Sequence, residues 1–124
     1  MTTRFYPTRH DLDLTIRTSI VELLSKTLAT TLDLKTQTKQ AHWNVKGSNF
    51  LQLHELFDEL SSELEDYVDL VAERITALGG SPQGTARVAA SNSLLSEYPL
   101  DISQGVDHLN ALADRFAAYG AHLR

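Results

Sequence analysis

The chain has no cysteine, one methionine, one tryptophan and three prolines in 124 residues. Without cysteine there are no disulfides, thiolate metal sites or cysteine nucleophiles, so any metal site must be built from histidine and carboxylates. Basic residues are also scarce: 11 Lys and Arg stand against 16 Asp and Glu, a net charge of −5. That balance disfavours a general nucleic-acid-binding surface, which usually shows a basic patch, and suits a protein that attracts cations. No apolar run approaches the ~18 residues of a membrane span. Residues 1–10 lack the apolar core of a secretory signal, so a cytoplasmic protein is expected. Neither a phosphate-cradling glycine loop nor a nucleophile-elbow context occurs.

What remains is enough for one domain. Residues 1–10, with Arg4, Pro7 and Arg9, read as a flexible tail, and residues 11–124 as the domain. Asp11 or Asp13 caps a long helix running to about Lys46, ended by Gly47. Its apolar residues Ile16, Ile20, Leu23, Leu24, Leu28 and Leu32 cover an arc wide enough for more than one neighbour. Asn49 then caps a second helix, with Gln52 in capping-box position. Phe50, Leu53, Phe57, Leu60, Leu64, Val71, Ile75 and Leu78 recur in steps typical of a packed helix. Gly79-Gly80-Ser81-Pro82 stops it. With so short a linker, the two helices form an antiparallel hairpin. Residues 81–102 are a connection, with a short helix expected within Ser91–Tyr98. Asp101 or Ser103 starts a third long helix with Leu109, Leu112, Phe116 and Leu123 as its apolar stripe, left unfinished at Arg124.

His42, His54, Asp58, Asp69 and Glu73 carry the chemistry. Histidine with carboxylate suits iron, zinc or manganese. His54 and Asp58 are four apart on one helix, as are Asp69 and Glu73, so each pair shares a face. At about 100° per residue, taking His54 as zero, Asp58 lies near 40°, Asp69 near 60° and Glu73 near 100°. All four fall on one stripe, yet Asp58 and Asp69 are about 16 Å apart along the axis. Ligand bonds of ~2 Å cannot close that gap within one chain. The pairs are half-sites. The midpoint of His54 and Glu73 coincides with that of Asp58 and Asp69, between Glu63 and Leu64. A second copy, antiparallel across a two-fold axis there, sets both pairings opposite each other and makes two equivalent sites. His42, across the hairpin, adds to the His54/Asp58 half.

The plainer readings stay open. Acidic residues four apart usually form a solvated face, and a single histidine is usually structural. His10, His108 and His122 read as solvent-facing or structural, and Trp43 as packing. The Glu-x-x-His pattern of a di-iron site inside one bundle is absent, since Leu51 and Gly105 stand three before His54 and His108.

The stretch Lys39-Gln40-Ala41-His42-Trp43-Asn44-Val45-Lys46-Gly47, then Phe50 and Leu53-His54-Glu55-Leu56-Phe57-Asp58, resembles the signature of the Dps family of miniferritins. So does Asp69-Leu70-Val71-Ala72-Glu73-Arg74 followed by Leu78-Gly79-Gly80. The resemblance implies an all-α, ferritin-like four-helix bundle, here with two long helices, a connection and a third helix cut short before the family's closing helix. It implies a hollow homo-dodecamer with a ferroxidase centre at a two-fold dimer interface. His42, His54 and Asp58 of one subunit would face Asp69 and Glu73 of its mate. It further implies Fe(II) oxidation, typically by hydrogen peroxide, with ferric iron stored inside the shell; zinc suits the same ligands. Trp43 resembles the family's tryptophan beside the centre, which intercepts radicals or carries electrons. Glu59, Glu63, Glu65 and Asp66 are expected to line the cavity. DNA-binding members often carry Lys-rich tails; this tail offers Arg4, Arg9 and His10, so DNA is expected to be a weak partner. An inactive helical fragment with exposed apolar surface is the remaining alternative.

Overall fold

The computed structural model describes residues 4–124, and all of the regular structure among them is helical. The four helices are α1 (Leu14–Asn44), α2 (Phe50–Ala77), α3 (Ala86–Asn92) and α4 (Gly105–Leu123). The all-α bundle expected from the sequence is therefore present. The expected third long helix is fourth in chain order, because the connection contributes a short helix of its own.

α1 lies at the centre and packs against each of the other three helices. Against α2 the contact is apolar. Val21, Leu28, Ile75 and Leu78 form one buried cluster near the start of α1. Ala41, Val45, Phe57, Tyr98, Ala111 and Leu112 form another at its far end. Leu34, Leu64 and Tyr119 bridge the middle. Burying side chains of this size contributes roughly 1.5–3 kcal/mol each.

Against the later part of α4, from Arg115 to His122, the face of α1 is largely polar, which the apolar arc did not anticipate. Thr27, Thr30, Thr31, Gln37 and Thr38 are buried, whereas Ile16 and Leu23 are exposed. The threonine hydroxyls satisfy themselves first. Thr27 donates to the Leu23 carbonyl, Thr31 to Thr27 and Thr38 to Leu34, the back-bonding that lets a hydroxyl sit inside a helix. With those protons committed, Thr27 Oγ1 accepts from His122 Nε2 at 2.8 Å and Thr31 Oγ1 accepts from the Tyr119 hydroxyl at 2.7 Å. Arg115 donates to Gln37 Oε1 at 2.9 Å. Partners climb α1 as they descend α4, so the seam is antiparallel.

The stripe of α4 differs accordingly from the expected one. Leu109 and Leu123 are exposed, and His108, Ala111, Leu112 and Tyr119 are the buried residues. His108 is structural rather than solvent-facing. The short helix also sits elsewhere than expected, at Ala86–Asn92 rather than within Ser91–Tyr98, because Thr85 caps it by accepting from the Val88 N–H.

The chain ends of α1 and α2 set the hairpin. Asp13 and Asn49 occupy the N-cap positions without side-chain cap bonds, so the Asn49/Gln52 capping box does not form on the Asn49 side. α1 stops at Asn44, and Gly47 serves the turn that follows with φ +114°. The Lys46 N–H donates to the Ser103 carbonyl at 2.7 Å, tying the hairpin turn to the start of α4. At the other end Gly79 has φ +89°, and a Cβ there would lie 2.7 Å from the Tyr6 carbonyl oxygen. That close approach exists because residues 4–8 lie along the hairpin end: Tyr6 N–H donates to the Gly79 carbonyl at 2.7 Å, and Ser81 donates to the Arg4 carbonyl.

Candidate metal centre

His42 stands in the last turn of α1 and His54 in the second turn of α2, facing each other across the hairpin. Their rings stack at 3.8 Å between centroids, 18° from parallel. Each Nδ1 lies against the other's backbone carbonyl: His42 Nδ1 is 2.6 Å from the His54 oxygen, and His54 Nδ1 is 2.8 Å from the His42 oxygen. A carbonyl can only accept, so both Nδ1 atoms carry a proton, and in the neutral ring the lone pair is then on Nε2. This reciprocal arrangement selects the tautomer that binds metals, as a ligating imidazole normally requires of its other nitrogen. Phe50, one turn before His54, stacks on that ring at 5.0 Å and limits its rotation.

Asp58 follows one turn after His54, with Oδ1 4.0 Å from His42 Nε2. The same oxygen accepts from Lys39 Nζ at 2.5 Å. That hydrogen bond is the first cause of a carboxyl pKa held below its ordinary 3.8; desolvation opposes it, and the positive charge of Lys39 and the nearby histidines add to the lowering. Two imidazole nitrogens and one ionised carboxylate thus gather on one side of the hairpin.

Asp69 and Glu73 lie farther along the same unbroken helix and are exposed. Among the described residues neither makes an ion pair or a side-chain hydrogen bond. No group of three or more His, Asp or Glu side chains of a single chain is placed to hold a metal ion among the described residues. The structure brings His42, His54 and Asp58 together and leaves Asp69 and Glu73 apart from them.

Trp43 is 64% exposed, next to His42 but on the other flank of α1. It lines a groove of about 590 Å³ together with Lys39, Gln40, Tyr98 and Leu100. The sequence reading missed Lys39 as the partner of Asp58. The signal was there, since Lys39 precedes His42 by three and so shares its face.

The ferritin-like domain family matches residues 21–123. The DNA protection during starvation protein of Agrobacterium fabrum is 37% identical over 119 residues, covering 96% of this chain and 74% of that protein. The chain spans about half of a Mycolicibacterium smegmatis protein of the same name, at 39% identity over 93 residues. Among solved structures, Mycobacterium smegmatis Dps in its tetragonal form superposes with a TM-score of 0.89 at 32% identity, over 94% of this chain and 70% of that one. A Vibrio cholerae Dps, described as belonging to a broad superfamily of ferritin-like diiron-carboxylate proteins, gives 0.84 at 27% identity, over 90% and 69%.

Proposed function

Because the chain belongs to the Dps family of ferritin-like miniferritins, we propose that two copies of it form a pair of Fe(II)-oxidising sites across a two-fold axis. Each site takes His42, His54 and Asp58 from one subunit and Asp69 and Glu73 from its mate. The observation that carries this reading is the locked histidine pair. Both Nε2 atoms are left free for a metal beside an ionised Asp58, while the carboxylates that would complete the set stand uncommitted at mirror positions along α2.

The donor set fits Fe(II). Imidazole nitrogen and carboxylate oxygen suit a borderline divalent metal and leave coordination positions open to an oxidant. Iron is here the substrate, and hydrogen peroxide is the proposed oxidant. Two Fe(II) each give one electron, the O–O bond breaks, and two protons complete two waters. Lys39 holds the ionised Asp58 before iron arrives and must release Oδ1 when it binds. Trp43, beside His42, is placed to give an electron to any one-electron oxidant formed at the site. In a dodecameric shell built on such dimers, Glu59, Glu63, Glu65 and Asp66 would supply acidic positions for ferric mineral.

The names of the relatives speak of DNA protection. Removing Fe(II) and peroxide together protects DNA without touching it, and a net charge of −5 disfavours contact with phosphates. The test is an anaerobic Fe(II) titration of the purified chain followed by peroxide, with ferric absorbance as readout. Saturable binding that zinc competes away, then rapid oxidation, is expected. Binding that does not saturate, or that is unchanged in Asp58→Ala, overturns the proposal.

A further inference from the structure

A second buried pair of titratable groups lies outside the metal centre. Tyr98 and His108 are 5% and 1% exposed. The Tyr98 hydroxyl is 2.5 Å from His108 Nδ1, and the rings lie 17° from parallel. Burial pushes the Tyr98 phenol up to about 12, against the nearby charge of Arg115, so at neutral pH the hydroxyl keeps its proton. Burial also pushes the His108 pKa down, which favours the neutral ring able to accept a proton. With the phenol donating to Nδ1, the ring's own proton sits on Nε2. That nitrogen is buried and makes no well-formed hydrogen bond, although the Ile102 carbonyl is near enough to favour the charged ring.

The charged groups acting on the pair are Arg115, whose guanidinium lies 5.5 Å over the Tyr98 ring, and Asp107, both on α4. From α1 the neutral Gln37 holds Arg115 in place. A phenol bonded this closely to a buried neutral imidazole has a defined place to send its proton when it loses an electron.

Tyr98 lines the same groove as Trp43. The chain has no cysteine, its one methionine is Met1 and Trp43 is its one tryptophan; of its four tyrosines, Tyr98 lines this groove and Tyr6, Tyr67 and Tyr119 do not.

We propose that Tyr98 and His108 form a proton-coupled electron donor that re-reduces Trp43 after a one-electron oxidant has attacked the exposed indole. One electron leaves Tyr98 for the indole radical cation, which returns to its neutral resting state. The O–H bond of Tyr98 breaks, and its proton passes to His108 Nδ1. The products are a neutral phenoxyl at Tyr98 and an imidazolium at His108. The hole is thereby moved from an exposed ring beside the metal half-site to a buried one. This inference rests on Trp43 as the point of entry and not on the iron ligands.

It is tested on metal-free protein, so that failure of the iron reading leaves it untouched. A photogenerated one-electron oxidant, a ruthenium polypyridyl complex with persulfate, is flashed while tryptophan-radical and tyrosyl absorbance are followed. In the unmodified chain the tryptophan signal should decay as the tyrosyl signal grows, and the step should slow in D2O because a proton moves with the electron. Tyr98→Phe should lengthen the tryptophan-radical lifetime several-fold and remove most of the tyrosyl signal. Exposed Tyr67, replaced by Phe, should change neither. In His108→Gln, which accepts a hydrogen bond but not a proton, tyrosyl growth should be largely lost. Tyrosyl growth that survives Tyr98→Phe, or a decay indifferent to both D2O and His108→Gln, overturns the proposal.

Discussion

The two halves of the α2 stripe are built from similar ligands and held very differently. At His54 and Asp58 every side chain is committed: two imidazoles lock each other through backbone carbonyls, Phe50 stacks on one of them, and Lys39 holds the carboxylate. At Asp69 and Glu73 two carboxylates of the same spacing stand exposed on the same helix. The hairpin makes the difference. α1 ends beside the start of α2 and brings His42 and Lys39 to one half. Among the described residues the other half gains no such partner from its own chain. A preorganised half and a bare one suit a site completed by a second copy, because the rigid half fixes geometry and the exposed half meets it from across the axis.

The sharpest way to break that comparison is to disable each half in a different chain. Asp58→Ala and Glu73→Ala are each expected to abolish most Fe(II) oxidation alone, since each damages both sites of a homodimer. Mixed and reassembled, half of the dimers are heterodimers. In each of these, one site carries both lesions and the other carries none. Activity should therefore return to about a quarter of the unmodified level by random pairing of a two-fold interface. Activity that stays at zero on mixing, with subunit exchange confirmed, means that the two halves do not meet across subunits.

A second contrast lies between the seams of α1. The α1–α2 seam is apolar and the α1–α4 seam is hydroxyl-rich, so losing a ring from the first and losing a hydroxyl from the second should cost different amounts. Phe57→Ala removes a fully buried ring beside Ala41, Val45 and Leu112, with an expected loss of about 3–5 kcal/mol. Tyr119→Phe keeps the ring and removes only the donor to Thr31, for about 1 kcal/mol. Urea unfolding monitored by circular dichroism would order them. Equal losses would show that the threonine seam is as demanding as the apolar one.

These contrasts also show what a sequence displays. The two long helices were legible because Leu, Ile, Val and Phe recur at helical spacing and glycines punctuate the ends. The shared faces of His54 with Asp58 and of Asp69 with Glu73 were legible because four-residue spacing survives in any straight helix. The threonine seam was not, since Thr27, Thr31 and Thr38 look like solvated positions until their hydroxyls are seen bonded to the preceding turn. His108 read as solvent-facing or structural, and nothing in the pattern chose between the two. Its neighbours Ala111 and Leu112 share its face, but Leu109 offered a more apolar and misleading register. The short helix lies earlier than expected, since Thr85 supplies the cap, while Leu95 and Tyr98 pack from an irregular segment. The reciprocal histidine bonds use backbone carbonyls, which no side-chain pattern records.

The smallest effect expected concerns Lys39, the cation paired with Asp58 in the preorganised half. It competes with a metal for Asp58 Oδ1 and also lowers the pKa of that carboxyl. Because the Asp58 pKa is depressed in the folded chain, the stability it contributes is present above the ordinary carboxylate pKa and is lost as pH falls through the folded value, below 3.8. Lys39→Gln removes the first cause of that depression, so the carboxyl should titrate closer to its ordinary value, as read by NMR of the Asp58 carboxyl. At neutral pH the carboxylate stays ionised in either case, and the variant has lost only a competitor and a repelling charge. Fe(II) affinity should therefore rise a few-fold, most clearly at low ionic strength where the removed charge is least screened. A fall in affinity at pH 7 would instead mean that Lys39 orients Asp58 toward the metal, and the preorganisation of this half would then extend one residue farther along α1.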